Sequence, residues 1–168
     1  ADLVGEARGK VYFDKFRGQI GEFIQRETTL LDKRRAEFET AQGAVIDDFD
    51  LSVKTMGWVD HTHRVLAQIS EILAHAVNME TGMRGYLIAG EDEFLAPYKD
   101  GKVRFFSDLE VLKKTVSDNP AQVKRLQDIE KLISGWIAQV TEPAIKLRRD
   151  VVTGSARIED VVAYVAEK

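Results

Sequence analysis

The sequence predicts an all-α fold in which long helices pack as an up-down bundle, and three observations carry that prediction. Proline occurs only at Pro97, Pro120 and Pro143, so the first 96 of 168 residues lack the strongest helix breaker. From Phe38 onward, alternating steps of four and three land on Phe38, Gln42, Val45, Phe49, Ser52, Met56, Val59, His63, Leu66, Ser70, Leu73, Val77, Glu80, Arg84 and Leu87. Nine of these fifteen positions are apolar, against 44% for the whole chain, and a period of about 3.5 residues is that of a bundle seam. Nowhere does strand-like alternation bounded by turn residues occur.

Upstream of that seam, Phe16, Ile20, Phe23, Ile24, Leu30 and Leu31 continue an apolar face at helical spacing, with Glu22, Arg26, Asp32 and Lys33 on the other side. The pattern reads as nearly continuous helix over about residues 8–88, on the order of 120 Å at ~1.5 Å per residue, with Gly43 and Gly57 as places to bend. One globular core could not cover so long a rod. Gly90 closes this helix, and Glu91, Asp92 and Glu93 open the next, where acidic residues favour the positive end of the dipole. That second helix runs to about Ser117 with Phe94, Leu95, Phe105, Leu109 and Leu112 inward, and Pro97 falls early enough to be accommodated.

The clearest boundary is Asp118-Asn119-Pro120-Ala121-Gln122. Asn119 suits the cap, Pro120 suits the first helical position, and Gln122 is placed to reach back as in a capping box. A third helix then turns Val123, Leu126, Ile129, Ile133, Trp136, Ile137 and Val140 inward and reaches Arg149, with a bend at Pro143. Thr153-Gly154-Ser155 breaks it, and Thr153 or Ser155 is placed to cap a last helix containing Ile158, Val161, Val162 and Val165.

Composition narrows the function classes. The 24 basic and 28 acidic residues leave a formal charge of -4, which exerts no pull toward nucleic acid. Without cysteine there is no disulfide scaffold, thiolate zinc site, cysteine nucleophile or covalently attached c-type haem. The longest apolar run, Val161 to Ala166, is far short of the ~20 residues of a spanning helix, and no signal-peptide pattern opens the chain. The size suits a single core.

Few constellations bear chemistry. His61 and His63 point about 200° apart on a helix and cannot grip one ion; His61 reads as solvated and His63 as facing the seam. His75 lies three turns further on. Asp47/Asp48 and Asp108/Glu110 lack a neighbour that would separate their acidities for acid/base work. Paired Glu-x-x-His sequences and glycine-rich phosphate loops are missing. The clusters Lys33-Arg34-Arg35, Lys113-Lys114 and Lys146 to Arg149 sit among acids and read as solvated faces. No catalytic residue, metal ligand or cofactor is assigned.

Glu80-Thr81-Gly82-Met83-Arg84-Gly85-Tyr86-Leu87 stands out. In the seam register above, Glu80 and Arg84 both face inward four residues apart, a pairing that sets alignment more than it adds stability. Gly82 and Gly85 each cost about 1 kcal/mol of helix propensity. Such a cost is met where backbones approach closely, where a helix flexes, or simply in a weak helix end.

Val59-Asp60-His61-Thr62 with Val65, Met79 to Gly90, Phe94-Leu95-Ala96-Pro97-Tyr98 and Asp118 to Gln122, in this order and spacing, resemble the third class of CHASE domains. The resemblance covers roughly residues 50–168. It implies an extracytoplasmic four-helix sensory module of bacterial chemoreceptors, sensor histidine kinases or diguanylate cyclases. It also implies a parent anchored by two membrane helices, working as a homodimer and exposed on the periplasmic side. Arg8 to Arg17 resembles the same family too, but there such a segment ends the module, whereas here it comes first. Laying residues 1–7 on 162–168 matches Val4 with Val165 and Glu6 with Glu167. Residues 1–49 then read as the C-terminal helix of a module, and residues 50–168 as the first three helices and the start of the fourth. The phase fits a piece of tandem modules, or a permutation. Either two chains exchange the N-terminal helix as a domain-swapped oligomer, or a sharp break near Gly43–Gly57 lets it fold back.

The resemblance implies signal input, not catalysis, with a methyl-accepting chemotaxis receptor as the preferred parent and a histidine kinase second. Glu80, Thr81, Gly82, Arg84, Gly85 and Tyr86 are the candidate switch, and Asp118, Asn119, Pro120 and Gln122 the helix-start motif. The ligand is an unnamed small molecule or a partner. A ligand-free helical spacer or oligomerisation rod is the alternative.

Overall fold

The computed structural model describes residues 8–43 and 49–167, and every regular element among them is helical. α1 spans Arg8–Gly43 and α2 Phe49–Ala89. A short 3-10 turn, Asp92–Leu95, leads into α3, Ala96–Thr115. α4, Pro120–Trp136, passes through a π segment, Ile137–Thr141, into α5, Glu142–Val152, and α6 is Ile158–Glu167.

The long rod expected over residues 8–88 is instead two antiparallel helices. Arg17 meets Glu80 near one end, and Arg34 meets Trp58 and Thr62 near the other. A straight rod would leave the stripe of α1 in water; folding back buries Phe13, Phe16, Ile20, Phe23 and Leu31, each side chain contributing ~1.5–3 kcal/mol of transfer free energy. Residues 44–48, with the Asp47/Asp48 pair, lie outside the described residues, as do residues 1–7 and Lys168; Gly57 sits inside α2. α3 returns along α2, and α4 runs antiparallel to α1, with Phe13 on Trp136 and Glu27 on Gln122. α1 thus lies beside both α2 and α4 and completes an up-down four-helix bundle.

The seam of α2 is displaced by one residue from the expected register. Among its described positions the buried ones are Thr62, Val65, Ile69, Ile72, Ala76, Met79, Gly82, Met83 and Tyr86, while Leu66, Leu73 and Leu87 are half-buried. α2 is covered on two sides, by α1 and α3, so its apolar face is wide enough to admit either walk. The shift reverses two expectations: His61 is half-buried and His63 exposed against Arg35, and Glu80 and Arg84 flank the seam instead of facing it. Arg34, expected on a solvated face, donates to the Trp58 carbonyl at 3.1 Å and to the Thr62 hydroxyl.

Close approach accounts for the glycines at the α2–α3 contact. A Cβ on Gly82 would lie 2.6 Å from the Tyr98 backbone nitrogen, and one on Gly101 would lie 2.7 Å from the His75 carbonyl oxygen. Phe94, expected inward, is 42% exposed, its ring lying against Gly85. Leu95, Phe105, Leu109 and Leu112 are buried as expected.

Helix ends follow the sequence signals with three differences. Gly90 ends α2 at φ 76°, and Arg148 donates to the last carbonyls of that helix, Leu87 at 2.9 Å and Ile88 at 3.4 Å. Asn119 caps α4 by accepting from the Gln122 amide at 3.3 Å, with Pro120 at the start. The Gln122 side chain does not reach back to the cap, however; it crosses to donate to Glu27, both residues being buried. The bend expected at Pro143 is a π segment just before it, in which the Glu142 amide reaches five residues back to the Ile137 carbonyl. At α6, Asp160 accepts from the Arg157 amide at 2.9 Å, in place of a Thr153 or Ser155 cap.

Candidate functional site

At the end of the bundle where α1 begins, α1, α2, the π segment and α6 enclose a cavity of about 420 Å3. The helical register of each wall supplies its chemistry. Phe13, Met83, Trp136, Val140 and Ala144 belong to the buried stripes and make an apolar floor, with the Trp136 ring edge-on to Phe13 at 5.3 Å between centroids. Positions one step round each helix carry charge: Lys10, Asp14 and Arg17 on α1, Glu80 and Arg84 on α2. Tyr164 and Val165 of α6 close the remaining side.

The charged rim converges on Glu80. Its Oε2 lies 3.4 Å from Nη2 of Arg17, and its Oε1 lies 3.7 Å from Nη1 of Arg84. Arg17 also lies over the Phe13 ring, 4.9 Å from its centroid. Both guanidiniums are more than half exposed, so these pairs orient side chains more than they stabilise the fold.

The floor runs over the π segment. Pro143 has no amide hydrogen to offer the Gln139 carbonyl four residues back, and that carbonyl accepts the Tyr164 hydroxyl at 2.9 Å. Burial raises the Tyr164 phenol above its ordinary range. The Gln139 side chain meanwhile accepts from the Tyr12 hydroxyl of α1 at 2.9 Å. On the outer side of the same segment, Glu142 accepts from Tyr98 at 2.7 Å and from Lys102 at 2.8 Å. The Lys102 ammonium is the main reason that the Glu142 carboxyl sits below its usual range, with the Tyr98 hydroxyl reinforcing it against burial. Burial first, and then Glu142, hold the Tyr98 phenol far above its own.

Of the candidate switch residues, Glu80 and Arg84 line the cavity. Gly82 and Gly85 face α3 and the turn before it, Tyr86 is buried in the core and Thr81 is exposed. Asp118, Asn119, Pro120 and Gln122 lie at the start of α4, away from the cavity lining. The sequence pattern did not show Arg17 as the partner of Glu80, nor Phe13, Trp136 and Tyr164 as cavity walls. The signal for Arg17 was present in the Arg8–Arg17 segment; that for the walls was hidden, because floor and core residues look alike. Among the described residues, no group of three metal-ligating side chains comes together, and no helix is long and apolar enough to cross a membrane.

Searches of curated proteins and of solved structures gave no match. The family model of the CHASE3 domain matches residues 55–167, from within α2 to the end of α6, leaving α1 outside. A match over more than half of the 168 residues, on an all-helical bundle, establishes that this chain belongs to the CHASE3 domain family of extracellular sensory domains of receptors.

Proposed function

We propose that this domain is the signal-input unit of a bacterial transmembrane receptor, a methyl-accepting chemotaxis receptor in preference to a histidine kinase, and that its cavity holds a small-molecule ligand. The parent is membrane-anchored and dimeric and presents the domain to the periplasm. The observation that carries this reading is the meeting of Glu80 and Arg84 with α1, the π segment and α6 around one cavity. A ligand seated there touches every element whose relative offset could change. The π segment is the weak point of the α4–α5 column, where the helical bonding register slips by one residue. Occupancy that favours one packing over another shifts helix offset and so carries a signal along the bundle.

The domain phase belongs to the same proposal. α6 runs antiparallel to α5 and ends where α1 begins: Gly9, Lys10, Tyr164 and Val165 line one cavity, and Tyr12 and Tyr164 both bond to Gln139. α6 and α1 therefore share one column, which supports reading residues 1–49 as the closing helix of a module and 50–168 as its opening three helices and the start of the fourth. In a domain-swapped oligomer, the same contacts would be made by the α1 of another chain. A ligand-free rod draws no support from a first helix that folds back.

The test is Arg84→Ala in the parent receptor. The expected result is a changed resting output or a lost ligand response at normal protein level; unchanged output and response would contradict the proposal.

A further inference from the structure

The charge and shape of the cavity narrow its ligand, on the reading that the cavity is the ligand site. The rim carries three cations, Lys10, Arg17 and Arg84, and two acids, Asp14 and Glu80, so it holds one positive charge in excess. Glu80 is shared between both guanidiniums at 3.4 and 3.7 Å, longer than the ~2.7–2.9 Å of a charge-assisted hydrogen bond. Each guanidinium has five N–H donors in a planar fork, and one distant carboxylate leaves most of that capacity for an incoming anion. Below the rim the surface is apolar and aromatic, Phe13 and Trp136 included. A volume of about 420 Å3 lies in the ~300–1,000 Å3 range of small-molecule pockets.

We infer that the ligand is a monocarboxylate with an aromatic or branched apolar body, its carboxylate held by Arg17 and Arg84 at the rim and its body against Phe13 and Trp136. A dianion would exceed the single positive charge available, and a small hydrophilic anion would leave the floor in contact with water. An apolar cation would meet Arg17, Arg84 and Lys10 head-on. A zwitterion is the nearest competitor, since Asp14 could face its ammonium; Glu80, already shared by two arginines, is the less available acid.

The experiment is a matched titration on the 168-residue chain carrying Trp58→Phe, which leaves Trp136 as the sole tryptophan. The probes are 3-phenylpropanoate, its neutral amide, phenylalanine and acetate, read by Trp136 fluorescence and thermal shift. The expected result is that 3-phenylpropanoate perturbs Trp136 and raises the melting temperature, and that the other three bind at least about tenfold more weakly. Arg17→Gln and Arg84→Gln, each with unchanged helical circular dichroism, should weaken 3-phenylpropanoate by a similar factor while leaving the amide unaffected. Equal or tighter binding of the amide or of phenylalanine would overturn the monocarboxylate assignment and leave the cavity a ligand site. Wild-type affinity in both arginine variants would overturn it as well. If no probe perturbs Trp136, both the assignment and the reading of the cavity as a ligand site fall.

Discussion

The Tyr164 hydroxyl donates to the Gln139 carbonyl at 2.9 Å, the carbonyl that Pro143 cannot serve because it has no amide hydrogen. Proline placement in α5 and tyrosine placement in α6 are thereby coupled. Tyr164→Phe should destabilise the domain by about 0.5–1.5 kcal/mol. In a Pro143→Ala background the residue 143 amide competes for the same carbonyl, so the tyrosine substitution should cost less. A double-mutant cycle in urea reads the difference; equal costs in both backgrounds would show the two positions to be independent.

The same substitution should carry opposite signs along one chain. Gly82→Ala and Gly101→Ala drive a methyl group to within 2.6 and 2.7 Å of backbone atoms, and overpacking of that kind costs about 1–3 kcal/mol. At Gly18 and Gly21 of α1 nothing lies within 4 Å of an added Cβ, and alanine there should stabilise by about 0.5–1 kcal/mol through helix propensity. Denaturation midpoints of the four variants check both signs.

Glu142 gives a pH dependence of definite direction. Its carboxyl lies below the ordinary value of 4.5 when folded, chiefly through Lys102. The stabilisation is therefore complete above that value and is lost as pH falls through the lower folded value. Urea midpoints of the wild type should drop across this acidic window, and Glu142→Gln should flatten the drop while being less stable at neutral pH. An identical slope in the variant would remove Glu142 from the account.

Glu27 and Gln122 form a buried pair that rewards removal of both better than removal of one. Both are under 5% exposed and bonded to each other. Gln122→Leu alone strips a buried carboxyl group of its donor and should cost about 1–3 kcal/mol, whereas Glu27→Leu with Gln122→Leu should recover most of that loss. Chemical denaturation of the single and double variants separates the two outcomes.

The helix class and most helix ends are legible in the residues, because Gly90, Asn119-Pro120 and the scarcity of proline act locally. The inward face of α4 is legible too: Leu126, Ile129, Ile133 and Trp136 are buried as its period demands. The fold-back of α1 is not, since a rod and a hairpin share the same apolar period and only the burial of two stripes against each other separates them. The register of α2 slips by one for a related reason: a helix covered on two sides carries a wide apolar face, and Leu66, Leu73 and Leu87 on its shoulder read as well as Val65, Ile72 and Met79 in its centre. Glu80 and Arg84 stand out as residues, but Arg17, the partner of Glu80, is 63 positions away from it and only tertiary structure joins the two.

The bundle and its cavity need an α1 against α4, and fold-back makes it the α1 of the same chain. The absence of cysteine allows specific spin labels at Gly21→Cys on α1 and Gln127→Cys on α4, both exposed, in a doubly labelled chain diluted with excess unlabelled chain. The measurement is the distance between the labels by pulsed electron paramagnetic resonance. Fold-back predicts a short distance, consistent with helix axes about 10 Å apart, that persists on dilution. A long distance, or a short one that vanishes on dilution because α1 belongs to another chain, would contradict it.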